Sequence, residues 1–297
     1  MAQRFQLEGR LASANRRLIM HARAHSRAYY LIAGAVFVGG MFVSAWVLAL
    51  DWGSLELKWL LMNLFVGAPA AIALNAIGLR ISANIVGVSL SFGAAFRTCC
   101  IAICSNLLPI PAGTLIQASS LASRGGSTLQ SGIIILVGNA LSLAIVLALV
   151  GAILLLVIPE AGIPLLLLGI ALLATCSVFI LKRSSVSTAS AFIATRCLRT
   201  VVMVLRIQLS FMIIGFSVSA LDAAVFSGAL VVGTTLSVFP GGLGVSEALA
   251  ALLALATAVA PGAAFLATAL NRLATLAFAG MFLLILPSWP MEKGRNE

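Results

Sequence analysis

Apolar residues in this chain run in blocks about the length of a membrane crossing, broken by short polar segments. A helix needs roughly 17–25 mostly apolar residues to cross the hydrocarbon layer. Seven segments meet this with little interruption: 29–50, 59–79, 133–158, 162–181, 200–220, 223–239 and 262–286. Two more apolar stretches, 98–122 and 243–260, are punctuated by proline and glycine. The pattern predicts an all-α, polytopic transmembrane bundle of 7–8 spans with re-entrant or broken helices. It divides the chain into a basic N-terminal arm (1–28), the bundle (29–287) and a polar C-terminal tail (288–297).

Composition agrees with this pattern. Of the 297 residues, 62% are hydrophobic and only 9% charged. A soluble domain carries about 25% charge, so lipid has to cover what a soluble core could not bury. The apolar run after the arm is too long for a secretory signal core, which makes it an uncleaved first span.

The formal charge of +10 reads as a topology signal and an attraction to anionic lipid, not as a nucleic-acid surface. Arginines 4, 10, 16, 17, 23 and 27 lie in the arm. Arg80, Arg97 and Arg124 fall in one expected loop, and Lys182, Arg183, Arg196 and Arg199 in another. Placing all of these inside a bacterial cytoplasmic membrane, with the N-terminus inside, satisfies the positive-inside rule. An eighth crossing by 243–260 would bring Lys293 and Arg295 to the same side, and 98–122 would then enter and return from the inside. Within the arm, Leu7, Leu11, Ala14, Leu18 and Ala22 form one helix face. Such a basic amphipathic helix would lie on an anionic leaflet; a disordered basic tail is the alternative.

The broken stretches share a design. The first carries Asn106, Pro109, Pro111, Gly113 and Gln117, and the second Pro240, Gly241, Gly242, Gly244 and Glu247. Each has a proline followed four positions later by a glycine. Proline removes a backbone donor, and broken backbone survives in a bilayer only against protein or a wet cavity. Paired interrupted segments in the two halves of a chain point to a transport site. A membrane-edge loop or a packing kink is the alternative.

Glu247 is expected in the first turn of the helix that follows, where amides and the helix dipole favour a carboxylate. Its possible partners are Arg272, near mid-span beside Asn271, and Arg206. For Arg272 the choice is a structural pair with Glu247 or a cation for a phosphate or carboxylate. Arg206 either pairs with Glu247 or snorkels to the headgroups, while Glu247, Arg272, Asn106, Gln117 and Asn139 could line a polar path for a headgroup. The five cysteines, odd in number and lacking metal-ligand neighbours, read as packing residues. No metal or cofactor is expected.

The run Phe239-Pro240-Gly241-Gly242-Leu243-Gly244-Val245-Ser246-Glu247-Ala248 resembles the lysylphosphatidylglycerol synthase transmembrane-region family of flippase-like integral membrane proteins. Arg272 fits that family's arginine in the last long span, and Asn106 to Gly113 fits its earlier proline–glycine break. The chain departs from the family at Ser246, where arginine is usual. It also departs at Thr114 and Gln117, in place of an acid and an arginine, and at Gly138 and Asn139, in place of a glutamate–arginine pair. With the chain ending at Glu297, lipid aminoacylation is not expected.

The resemblance implies a lipid flippase or lipid-transfer protein that moves or presents a polar-headed or isoprenoid-type lipid. Its partners would be anionic or phosphate-bearing lipids and a lipid-synthesis protein. The site would comprise Glu247, Arg272, Asn271, Pro240, Gly241, Gly242, Gly244, Asn106, Pro109, Gly113, Gln117, Asn139 and Arg206. A membrane-embedded lipid-modifying enzyme, a small-molecule exporter or a non-catalytic subunit of a lipid-synthesis complex are the other readings.

Overall fold

The computed structural model describes residues 35, 37–48, 55–107, 112–235 and 242–286. The arm, the tail, Pro109, Pro240 and Gly241 lie outside the described residues. Among the described residues all regular structure is helical. We number the helices α1 Phe37–Val47, α2 Leu57–Ile85, α3 Phe92–Ser105, α4 Ala112–Ala122, α5 Thr128–Leu154, α6 Pro159–Leu181, α7 Val186–Ile213, α8 Ala220–Thr235, α9 Val245–Ala254 and α10 Pro261–Ile285. Five of them (α2, α5, α6, α7 and α10) are long and apolar enough to cross a membrane. This is the architecture of a helical membrane protein.

Local signals set the helix starts. Ser91 and Ser185 stand at the N-caps of α3 and α7 and accept from the Ala94 and Thr188 amides at 3.4 and 3.2 Å. Pro159 and Pro261 open α6 and α10, where a missing N–H costs nothing. The α6 helix carries many exposed apolar side chains, among them Ile163, Leu167, Leu168 and Ile170. It packs mainly on α5, as a helix at the lipid-facing edge of a bundle does.

The two broken stretches become helix hairpins. In the first, Thr98 Oγ1 of α3 lies 3.4 Å from Ser120 Oγ of α4, and Gly113 N–H donates to Asn106 Oδ1 at 3.0 Å. Those pairings make α3 and α4 antiparallel. In the second, Gly233 of α8 packs against Ser246 of α9 and against Gly242, so α8 and α9 are antiparallel too. The span expected over 98–122 is therefore two helices that begin at Phe92, and the stretch expected over 243–260 is helical only for Val245–Ala254. At 1.5 Å per residue, the 14, 11, 16 and 10 residues of α3, α4, α8 and α9 reach about 15–24 Å. The hydrocarbon layer is about 30 Å thick, so none of the four is long enough to cross it alone.

The hairpins approach from opposite ends of the bundle. Gly126, before α5, lies beside Val86, after α2, so α3/α4 leaves and returns to the end where α2 finishes. At the other end, Glu56 N–H donates to the Ile213 carbonyl at 3.0 Å, and Gly262 lies against Ser44 of α1. The α8/α9 hairpin leaves from that second end and returns to it before α10 begins.

The α7 helix starts at Val186, fourteen residues before the expected span at Thr200. Arg196 and Arg199, expected in a loop, are helical, as is Arg97 in α3. Cys99, Cys100 and Cys176 are buried as expected of packing residues, but Cys197 is exposed.

Candidate functional site

The described ends of both hairpins, next to their tips, meet at one cavity of about 190 Å³. The first tip contributes Asn106 and Leu107, and the second Thr234 and Leu243. The walls are α2, α7 and α10, which add Asn75, Arg199, Arg206, Asn271, Arg272 and Thr275. Three arginines therefore line one small space, and among the described residues no carboxylate lines it.

Each arginine is held differently. Arg206 is only 4% exposed, which rules out the snorkelling reading. Its Nε donates to Asn63 Oδ1 at 2.9 Å; its Nη2 donates to the Asn271 carbonyl at 3.0 Å and to Thr275 Oγ1 at 2.7 Å. Asn63 in turn donates to Ser210 Oγ at 2.9 Å. It opens a π-helical turn, Asn63–Gly67, inside the otherwise α-helical α2. Such single-turn widenings often accompany functional sites; here one places an amide on the buried guanidinium. Replacing Asn63 with alanine is expected to cost about 1–2 kcal/mol, because Arg206 Nε loses its acceptor in a buried place. A thermal melt of the purified variant in detergent checks this.

Arg272 sits between the cavity and Glu247. Its Nε is 3.2 Å from Glu247 Oε1 and its Nη2 donates to Ser246 Oγ at 2.8 Å. Its Nη1 has no hydrogen-bond partner among the described residues. Glu247 is 0% exposed and stands in the first turn of α9. Neither of its oxygens makes a well-formed hydrogen bond among the described residues, although the Gly244 and Glu247 amides face it. The turn that delivers it needs glycine at two places. Gly242 and Gly244 have φ of +68° and +78°, a region closed to most side chains, and a Cβ on Gly242 would also press on the Gly233 backbone.

Arg199 donates from Nη1 to Ser142 Oγ on α5 at 3.2 Å. Arg196, one turn away, is buried outside the cavity lining, with its guanidinium carbon 4.9 Å from the Phe192 ring centroid. Its Nη2 would be 2.7 Å from a Cβ on Gly138. Arg196 thus occupies the space that the missing Gly138 side chain leaves.

Of the residues expected to form the site, Asn106, Arg206, Asn271 and Arg272 line the cavity. Glu247, Gly242 and Gly244 stand directly behind it, and Gly113 shapes the first tip through Asn106. Gln117 and Asn139 are not among its lining residues. Asn139 instead reaches Thr114 Oγ1 at 3.4 Å, tying α5 to α4. The sequence reading missed Asn63, Asn75 and Arg199. A lone amide inside an apolar run was the available signal for the first two.

The fold and cavity define a helical membrane protein with a half-open pocket lined by three arginines. No protein-family model matches the chain, and no curated protein or solved structure matches it.

Proposed function

We propose that this protein moves or presents an anionic, polar-headed lipid across the bacterial cytoplasmic membrane, as a flippase or lipid-transfer protein. One observation carries the reading: Arg199, Arg206 and Arg272 face a single cavity where two helix hairpins end, against one carboxylate set behind it. Uncompensated cations inside a membrane bundle are expensive and mark a path for a charged substrate. A phosphate-bearing headgroup would occupy the cavity while its acyl chains stay in lipid. The hairpins would then be re-entrant, dipping in from opposite faces as in transporters built on inverted repeats. The resemblance to the lysylphosphatidylglycerol synthase transmembrane region supports the same reading.

The orientation we propose, N-terminus inside, rests on the arm and on Arg80, Arg124, Lys182 and Arg183. The last three come from turns at the end of the bundle where α5 begins and α6 finishes, which makes that end cytoplasmic.

The test is a vesicle assay with fluorescent phosphatidylglycerol quenched from outside. Wild-type protein should expose inner-leaflet label, and Arg199→Gln should slow this at least about tenfold, the equivalent of roughly 1.4 kcal/mol in the barrier. Among the described residues Arg199 makes one side-chain bond, to Ser142, so the variant should still fold. Identical quenching in wild-type and protein-free vesicles would refute the proposal.

A further inference from the structure

We infer that Glu247 is a proton site coupled to anion binding: an anion that takes Arg272 from Glu247 is bound together with one proton, which Glu247 accepts. This rests on the reading of the cavity as an anion site.

Arg272 is shared between two demands. Its Nε faces Glu247 at 3.2 Å, while Nη1 is unpartnered among the described residues and the side chain lines the cavity. An anion arriving beside Arg199 and Arg206 meets a third guanidinium that is only partly engaged. Charge-assisted pairing of an oxyanion with arginine is strong and often bidentate, so Arg272 turns towards it.

Glu247 is then left without a counter-ion. Among the described residues of the helices packed on it there is no other. On α9 it is the one titratable residue, on α10 the one such residue is Arg272, and on α8 it is Asp222. Asp222 lies in the first turn of α8, bonded to Ser219, at the far end from the hairpin tip. The connecting segment 236–241 contains no titratable side chain. A buried carboxylate stripped of its partner takes up a proton in preference to staying charged. The proton comes from water through the cavity, and the charge brought by a monoanion is cancelled by it. The empty site holds a Glu247–Arg272 pair; the loaded site holds an anion–Arg272 pair and a neutral Glu247. Moving between these states couples a downhill proton to an anionic headgroup.

The direction of the pH effect follows. Binding that takes up one proton tightens about tenfold for each unit by which pH falls, over the range where the empty site holds Glu247 ionised. The test uses the full chain in nanodiscs of zwitterionic lipid, with two probes. Dihexanoylphosphatidylglycerol represents a lipid headgroup and sulfate a free oxyanion; neither titrates near neutrality, so any proton measured belongs to the protein. Calorimetry in two buffers of different ionisation enthalpy counts the protons, and infrared difference spectra report a protonated carboxyl.

Wild type should take up about one proton per probe bound, with a new carboxyl C=O band. Glu247→Gln should remove both the uptake and the band and flatten the pH dependence, while Glu247→Asp should keep the uptake. Uptake with phosphatidylglycerol alone assigns recognition to the lipid headgroup, and uptake with sulfate as well shows that the oxyanion suffices; either result supports the coupling. Binding without uptake, or a band that survives in Glu247→Gln, overturns the coupling and leaves the anion site standing. Failure of wild type to bind either probe overturns the anion site, and the coupling with it.

Discussion

Replacing Arg272 with alanine is expected to destabilise the protein by about 3–4 kcal/mol at pH 7, in the lower part of the range usual for stripping one partner from a buried ion pair. The cause is Glu247, which is fully buried and has Arg272 as its one ion-pair partner among the described residues. Protonation sets a ceiling on the loss. Neutralising a carboxyl whose ordinary pKa is about 4.3 costs about 4 kcal/mol at pH 7 and about 1 kcal/mol at pH 5. Folding of the variant then takes up a proton that unfolding releases, so its stability falls as pH rises and recovers as pH is lowered. Adding Glu247→Gln to Arg272→Ala removes the charge and should return most of the loss. Thermal unfolding in nanodiscs at the two pH values, with both single variants and the double, measures the coupling. An equal deficit at both pH values, or no recovery in the double variant, would show that the pair is not what holds Glu247 in place.

The long helices were legible because membrane crossing imposes one demand, about twenty apolar residues, that needs no tertiary context. The expected 133–158 and 262–286 became Thr128–Leu154 and Pro261–Ile285, offsets of a few residues at most. The start of α7 was not legible for the same reason. Arg196 and Arg199 break the apolar run, so hydropathy ends the span at Thr200. In the fold these guanidiniums are covered by Phe192, by Ser142 and by the room left at Gly78 and Gly138. Apart from Phe192, on α7 itself, that cover comes from two other helices, α2 and α5, and no local pattern announces it.

The candidate site divides along the same line. Glu247 and the glycines before it were legible, because a lone acid after a proline–glycine turn has a local physical meaning. The Glu247–Arg272 pair was one of two options, and a helix drawn as a wheel could not choose between Arg206 and Arg272. The geometry separates them: Arg206 is taken by Asn63, Asn271 and Thr275, and Arg272 faces Glu247. Asn63 lies 143 positions from Arg206, and only the packing of α2 on α7 makes them partners. Gln117 and Asn139 were chosen as polar residues in apolar runs, a criterion that cannot distinguish a cavity wall from a link between helices.

Two glycines on one helix should respond to substitution with opposite signs. On α5, a Cβ at Gly151 would lie 2.8 Å from Leu166 Cα and 2.9 Å from the Leu165 carbonyl carbon, whereas a Cβ at Gly132 meets nothing within 4 Å. The atoms facing Gly151 are backbone, which cannot rotate away, so α5 and α6 must separate to admit a side chain. In lipid, helices attract through close packing, without a hydrophobic drive between them, and separation forfeits that contact along the whole pair. Gly169, on α6, repeats the constraint from the other side, since a Cβ there would lie 2.8 Å from Ala148 Cα. Gly151→Leu is therefore expected to cost about 3 kcal/mol or more, at the upper end of overpacking losses. Gly132→Ala should instead gain about 0.5–1 kcal/mol, the ordinary advantage of alanine over glycine in a helix. Melting temperatures of the two variants in the same detergent decide it, and a Gly151→Leu protein as stable as wild type would mean that α5 and α6 do not meet backbone to backbone.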